Sequence, residues 1–312
     1  MTRNEFKPLV SIGLPVYNNE QTLQRSLNSL FSQDYEKIEL IASDDKSIDK
    51  SATILEKYAD KEPRLKVKNN KQNIGAYHNF LKVLELSKGK YFIWASGDDY
   101  WDRSFVSTLI REIEKNGDSV ACMCAYKSVR SDGTHEIHKF TGNRYPEKYS
   151  ALELAMSLLT KRDKHGNVVK NNMYIHGLLN REKFIKALKA FPGIFTNERQ
   201  ILCQMALAGD FAYVDNVLFE KTVDSKPFKI RNPNDPLSVR NAKYNSYDYL
   251  ISTPRSLIIS KIIPAKNKIK IPVLVGLYYL FYFMPRVYSL LFLLSAEQII
   301  DRAKKTLQKY LY

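Results

Sequence analysis

Cysteine is scarce, with three residues, Cys122, Cys124 and Cys203, in a chain of 312. They are too few and wrongly spaced for a disulfide framework, which points to a reducing compartment. Cys122 and Cys124 lie two apart on an expected strand, so both thiols face one side as buried core residues. A Gly-rich phosphate loop is missing, in both its dinucleotide and its Walker form, which disfavours a dinucleotide dehydrogenase and a P-loop kinase. Internal repeats and low-complexity stretches are absent. Met1 to Lys7 is polar and the apolar run from Leu9 to Pro15 is too short for a secretory signal, so the expected location is the cytoplasm. The five histidines, His78, His135, His138, His165 and His176, show no convincing metal spacing, and His135 and His138 fall in an expected hairpin.

What is present is ordinary globular composition, 44% apolar and 26% charged, in a length that suits one large α/β domain with an appendage. The formal charge of +15 is unevenly placed. Ser225 to Tyr312 carries 15 Lys and Arg against 4 Asp and Glu, a net of +11, which leaves +4 for the preceding 224 residues. Short apolar runs alternate with helical patterns in the first half. Strands are expected at Leu9–Leu14, Ile38–Ala42, Leu65–Val67 and Tyr91–Trp94, and helices at Gln21–Ser32, Asp49–Tyr58 and Tyr77–Leu86. This rhythm predicts a mostly parallel sheet flanked by helices. Further on, Val120–Val129 and Thr134–Phe140 flank Ser131-Asp132-Gly133 as a hairpin. Helices are expected at Tyr149–Thr160, Arg181–Ala190 and Glu198–Ala208, and late strands at Phe211–Val214 and Val217–Val223. Pro227, Pro233 and Pro236 mark a linker, dividing a domain at 1–224 from a tail at 225–312.

In parallel sheets, ligands bind outside the carboxyl ends of the strands. Asp44-Asp45 follows the second strand and Asp98-Asp99 the fourth, so four carboxylates are expected on one rim. Adjacent like charges favour a hard divalent cation with oxygen ligands, and such a cation suits a diphosphate. Each pair alone also reads as a helix start or a turn.

Pro15-Val16-Tyr17-Asn18, Ser43-Asp44-Asp45-Lys46-Ser47, Asn73-Ile74-Gly75 with Asn79, and Gly89-Lys90-Tyr91 leading into Ser96-Gly97-Asp98-Asp99 occur in that order. As an ordered set across Lys7 to Val223, they resemble family 2 glycosyltransferases of the GT-A fold. The resemblance implies an inverting transfer from a nucleotide sugar, a UDP-sugar foremost, to a hydroxyl of a lipid-linked or surface-glycan acceptor. The absence of the Gln-x-x-Arg-Trp element of processive synthases and of multiple strong spans makes a non-processive one expected. A hexosyl- or N-acetylhexosaminyl-transferase is the expected class. Pro15, Tyr17, Asn18 and Asp45 would hold the nucleotide, with Asn73 and Gly75 near the base. Asp98 would meet the ribose or sugar edge, and Asp99 with Asp98 would bind Mn²⁺ or Mg²⁺. Where the commonest pattern has a further carboxylate this chain has Ser96. The family's acidic pair late in the domain corresponds to Asn197-Glu198, leaving Glu198 as the expected base. His176 is a candidate acceptor contact, Asp102 a helix cap, and Trp101 a pocket wall or a core residue. A catalytically silent scaffold with the same fold is the alternative that Ser96 and Asn197 leave open.

The tail has a different character. Val273–Met284 and Val287–Leu294 are apolar and aromatic, but Pro285-Arg286 divides them, and each piece is too short to cross a bilayer. Lys266, Lys268 and Lys270 precede the run, and Arg302, Lys304, Lys305 and Lys309 follow it. Residues 261–312 are therefore expected to lie on an anionic membrane surface, at its cytoplasmic face. A true span, or packing on the domain or in a homo-oligomer seam, are the alternatives. No nucleic-acid recognition motif accompanies the basic charge.

Overall fold

The computed structural model describes residues 7–115, 117–139, 155, 171–190, 198–223, 263–268 and 271–272. Nine strands form one sheet: β1 (Val10–Val16), β2 (Ile38–Asp44), β3 (Leu65–Asn69), β4 (Tyr91–Trp94), β5 (Tyr100–Trp101), β6 (Ser119–Arg130), β7 (His135–His138), β8 (Leu178–Asn180) and β9 (Asp210–Val223). Their order is β3-β2-β1-β4-β8-β6-β9-β5, with β7 hairpinned onto β6. The pairs β2–β3, β1–β2, β1–β4 and β6–β9 are parallel, whereas β8 is antiparallel to both β4 and β6, and β5 to β9. The mostly parallel sheet is thus confirmed, with antiparallel β8 inserted at its middle.

Strand burial explains the sequence pattern. All seven residues of β2 and all four of β4 are buried, as expected for parallel strands covered on both faces. Helices α1 (Leu23–Phe31), α2 (Ser51–Ala59), α3 (Ala76–Leu86) and α4 (Phe105–Lys115) follow the first strands. Helix α1 buries Leu23, Leu27 and Leu30, and α4 buries Phe105, Val106, Leu109, Ile110 and Ile113, both at helical spacing. Helix α5 (Arg181–Ala190) docks through Phe184, whose ring meets Trp94 edge-on at 4.9 Å and stacks on Phe92 at 6.4 Å. Truncating so buried an aromatic costs about 3–5 kcal/mol. Helix α6 (Glu198–Ala208) packs on β6, β9 and a 3-10 turn at Asn171–His176.

The expected helices at 181–190 and 198–208 match residue for residue. Two expected late strands are instead one strand, β9, which stays paired with β6 through an irregularity beyond Val214. β5 and β8, of two and three residues, are too short to leave a periodic signal. All three cysteines are buried and free. Trp101 is a core residue, 1% exposed and 5.6 Å from the Phe219 ring. The expected helix at 149–160 and most of the tail lie outside the described residues. Of the tail, Ile263 and Ile271 are buried with the core, and Ala265–Lys268 is a helical turn. Among the described residues, no helix is long and apolar enough to cross a membrane.

Candidate functional site

β1 is followed on one side by β2 and β3 and on the other by β4, so the direction of winding reverses between β1 and β4. In such sheets the crevice outside the carboxyl ends at that switch point is where ligands bind. The loops that close it are sewn together. Ala95 N donates to Gly13 O (2.9 Å), Asp45 N to Val16 O (2.8 Å) and Asn70 N to Asp44 O (2.9 Å). Asn18, at φ 53°, and Lys46, at φ 62°, take left-handed backbone in adjoining loops. Asn tolerates that conformation and Lys pays for it, so neighbouring bonds must hold Lys46 in place. Asn18 N donates to Ser47 Oγ (3.0 Å), Ile48 N to Asn18 Oδ1 (3.0 Å), and Asn19 N to Ser51 Oγ (2.8 Å).

The two acidic pairs differ sharply in what their carboxylates do. Asp44, buried, accepts from Ser47 N (3.0 Å) and Ser47 Oγ (2.5 Å). Asp45, also buried, accepts at Oδ1 from Asn70 Nδ2 and Ile74 N, both 2.8 Å, and at Oδ2 from Gly75 N (2.9 Å). That carboxylate fixes the Asn73–Gly75 turn, in which Asn73 Oδ1 also accepts from Gly75 N and Gly75 sits at φ 82°. The four carboxylates lie on one rim, as expected, but they are not equivalent. Asp44 is engaged by Ser47 of its own loop, and Asp45 by the segment that follows β3. Among the described residues no three acidic, His or Cys side chains converge as a metal cage.

Asp98 and Asp99 are placed otherwise. Asp98 is half-buried and accepts from Ser96 Oγ, so the serine at the departing position braces the acid. Asp99 is 1% exposed. Its Oδ1 accepts from Thr222 N (2.9 Å), while its Oδ2 is buried with no hydrogen-bond partner among the described residues. Thr222 Oγ1 donates to Asp98 O, and Ser26 Oγ to Asp99 O (2.6 Å). Burial, with a smaller push from the Asp98 charge, raises the Asp99 carboxyl to about 7 against the pull of Lys221, Thr222 N and Arg25. A carboxylate held this way is short of one positive partner.

β5 pairs antiparallel with β9, Tyr100 opposite Glu220 and Trp101 opposite Phe219. Carried one residue further, that register sets Asp99 across from Lys221. Lys221 Nζ lies 3.2 Å from His176 Nε2, and the His176 ring stacks on Phe219 at 6.0 Å. His176 keeps some exposed surface, yet burial of its ring and the Lys221 ammonium hold its imidazole well below the usual range. Nearby, Glu220 pairs with both Arg25 (2.7 Å) and Lys127 (3.2 Å), and Arg25 lies over the Tyr100 ring.

Pro15 thus sits near the end of β1, Tyr17, Asn18, Asp45, Asn73 and Gly75 line the segments beyond β1, β2 and β3, and Asp98 and Asp99 the loop beyond β4, all at one edge of the sheet. Asn18 and Asn73 are exposed and Pro15 and Tyr17 half-buried. Asp102 accepts from Ser104 N (2.9 Å) and Ser104 Oγ (2.7 Å) just ahead of α4, which begins at Phe105. Glu198 is the first residue of α6; Thr196 and Asn197 lie outside the described residues. His135 and His138 stay in the hairpin, His138 bonding Ser128 Oγ at 2.8 Å. Sequence reasoning missed Thr222 and Lys221. Their alternation on a strand was visible, but the pairing that brings that strand to Asp98–Asp99 runs through the two-residue β5.

Comparison with known proteins adds to this geometry. The sequence model of glycosyl transferase family 2 matches residues 11–187. An uncharacterized glycosyltransferase of Haemophilus influenzae is 33% identical over 122 residues, 39% of this chain and 38% of that one. One of Rickettsia prowazekii is 31% identical over 159 residues, 51% of this chain and 48% of that one. The chain spans about half or less of the length of these relatives. Among solved structures, S. aureus TarS 1-349 in complex with UDP-GlcNAc is similar with a TM-score of 0.62 at 17% identity, covering 93% of this chain and 77% of that one. The mannosyltransferase PcManGT of Pyrobaculum calidifontis, in complex with GDP-Man and Mn²⁺, gives 0.50 at 16% identity, covering 88% and 76%. These likenesses identify the fold as GT-A.

Proposed function

The chain belongs to glycosyl transferase family 2, and from that premise we propose that it moves a sugar from a UDP-sugar onto a hydroxyl of a glycan or lipid-linked acceptor with inversion. The observation that carries this reading is Asp99, a buried carboxylate with one oxygen bonded to Thr222 N and the other unpartnered, beside half-exposed Asp98 at the switch point. The donor set fits a hard divalent cation, Mn²⁺ or Mg²⁺: two adjacent oxygen-bearing side chains, few enough that phosphate and water complete the shell. Asp99 and Asp98 would hold it, and when bound it offsets charge on the departing diphosphate.

Pro15, Tyr17 and Asn18 form one wall of the nucleotide site. The Asn73–Gly75 turn, fixed by Asp45, forms the other. In the transfer, the acceptor hydroxyl oxygen bonds to the anomeric carbon as that carbon's bond to the donor phosphate oxygen breaks. The hydroxyl proton passes to Glu198, and the bonding electron pair leaves with the nucleoside diphosphate. The basic, aromatic sequence of residues 261–312 supports a place on the cytoplasmic face of an anionic membrane, where a lipid-linked acceptor is within reach.

Calorimetric titration of UDP, with and without Mn²⁺, on the full chain and on Asp99→Ala tests the reading. Mn²⁺-dependent binding that the substitution abolishes is the expected result. Binding that is indifferent to both overturns the metal assignment, and no nucleotide binding at all leaves a scaffold with the fold alone.

A further inference from the structure

Around Asp99 the positive charges are of two kinds. Arg25 and Lys127 share Glu220, and each is in a direct ion pair with it. Lys221 is different: among the described residues it forms no ion pair with a carboxylate. Its ammonium is instead held by a neutral ring nitrogen, His176 Nε2, at 3.2 Å. An ammonium can only donate, so Nε2 accepts and the ring proton sits on Nδ1. His176 is in turn fixed by its stack on Phe219 and by the 3-10 turn that ends at it. The β5–β9 register sets Lys221 across from Asp99, and its charge opposes the upward push that burial gives that carboxyl. The strand holding Lys221 is stitched there by Thr222, through its amide to Asp99 Oδ1 and its hydroxyl to Asp98 O. Half-buried and positioned, the ammonium lies beside the acidic pair without a direct ion pair to either carboxylate among the described residues.

We propose that Lys221, aligned by His176, contacts a phosphoryl oxygen of the donor's diphosphate, an inference that rests on the nucleotide-sugar reading above. The phosphate is the donor's, because Lys221 lies across the β5–β9 register from Asp99, at the edge where the switch-point loops meet. Lys221 is then a substrate contact that shares the charge of the leaving group with whatever Asp98 and Asp99 hold. His176 is a positioning residue. Serving as a hydrogen-bond acceptor, it keeps the ammonium from folding back onto Asp99.

The test is calorimetric titration of two probes, UDP and uridine, into the full chain in the presence of Mn²⁺. Lys221→Met is expected to weaken UDP about 10- to 100-fold, the loss of one charge-assisted bond, and to leave uridine unchanged. Lys221→Arg should restore most of the UDP affinity. His176→Ala should weaken UDP several-fold without touching uridine, and His176→Gln, which again offers an acceptor, should recover it. A merely structural role would lower both probes together in Lys221→Met and His176→Ala, and that result overturns the proposal. So does a Lys221→Met protein that binds UDP as tightly as the unaltered chain while the nucleotide-sugar reading stands. If the unaltered chain binds neither probe, both readings fall together.

Discussion

Asp99→Asn keeps the shape of the acid and removes its ionisation, so it isolates the energetic consequence of burying that carboxyl. In the folded protein Asp99 titrates at about 7, against 3.8 for the free side chain. Between those values the folded state holds a proton that the unfolded chain has released, so stability must fall as pH rises through that window and level off above it. At about 1.4 kcal/mol per unit, the ceiling is about 4 kcal/mol; local relaxation leaves an expected loss of about 2 kcal/mol. Asparagine does not titrate, and every other group is common to both proteins. The stability of the variant minus that of the parent should therefore grow by about 2 kcal/mol from about pH 4 to about pH 8. Urea unfolding at a series of pH values reads this directly, since the constant offset from the new amide cancels in the slope. Mn²⁺ added at the upper end should stabilise the parent and not the variant. A difference that stays flat across the whole range would refute the account of Asp99 as a carboxylate short of a partner.

Glu198→Gln should lower turnover about 100-fold or more while UDP affinity holds, measured by product formation and calorimetry on one preparation. Gly177→Ala should cost about 3 kcal/mol in urea unfolding, because its methyl carbon would sit 2.2 Å from Cys122 O in the central strand β6. Glu39 is 6% exposed; burial works against its charge, but Lys66, Ser11 and Lys88 N together hold its carboxyl below the ordinary 4.5. The stability it contributes is present above that value and is lost as pH falls through the lowered one. Glu39→Gln should therefore flatten the acid limb of the unfolding profile.

The first half of the fold was legible because its strands are long and apolar enough to show. Ile38–Asp44 and Tyr91–Trp94 are buried on both faces, and α1 and α4 carry clean apolar stripes. The rim residues followed, since a parallel sheet brings its loop ends to one edge. Less legible was what each acid does. Asp45 and Asp99 look alike in sequence, yet one is fully bonded to backbone amides and an asparagine while the other keeps an orphaned oxygen. That difference is set by partners 25 to 123 residues away, at Asn70, Ile74 and Thr222. Lys221, and its meeting with His176, which the sequence offered only as an acceptor contact, were out of reach for the same reason. Their meeting depends on β9 lying between β6 and a strand of two residues, which no periodicity announces.

The irregularity in β9 has a bearing on which changes of chain length this family member can tolerate. While β6 advances two residues, from Cys124 to Tyr126, β9 advances five, from Val214 to Phe219. The three additional residues are an odd number, so the alternation of β9 beyond them is out of step with its first part, while its pairing with β6 resumes. Beyond it Lys221 pairs with Ser128 and its ammonium meets His176. Deleting a single residue between Asp215 and Leu218 would leave composition, charge and hydrophobicity almost untouched. Yet it would rotate the two positions half a turn, threonine for lysine and lysine for threonine. Length within that short stretch is thus a parity bit for the site beyond it. Relatives that keep the same arrangement of groups should differ there by even numbers of residues, if they differ at all.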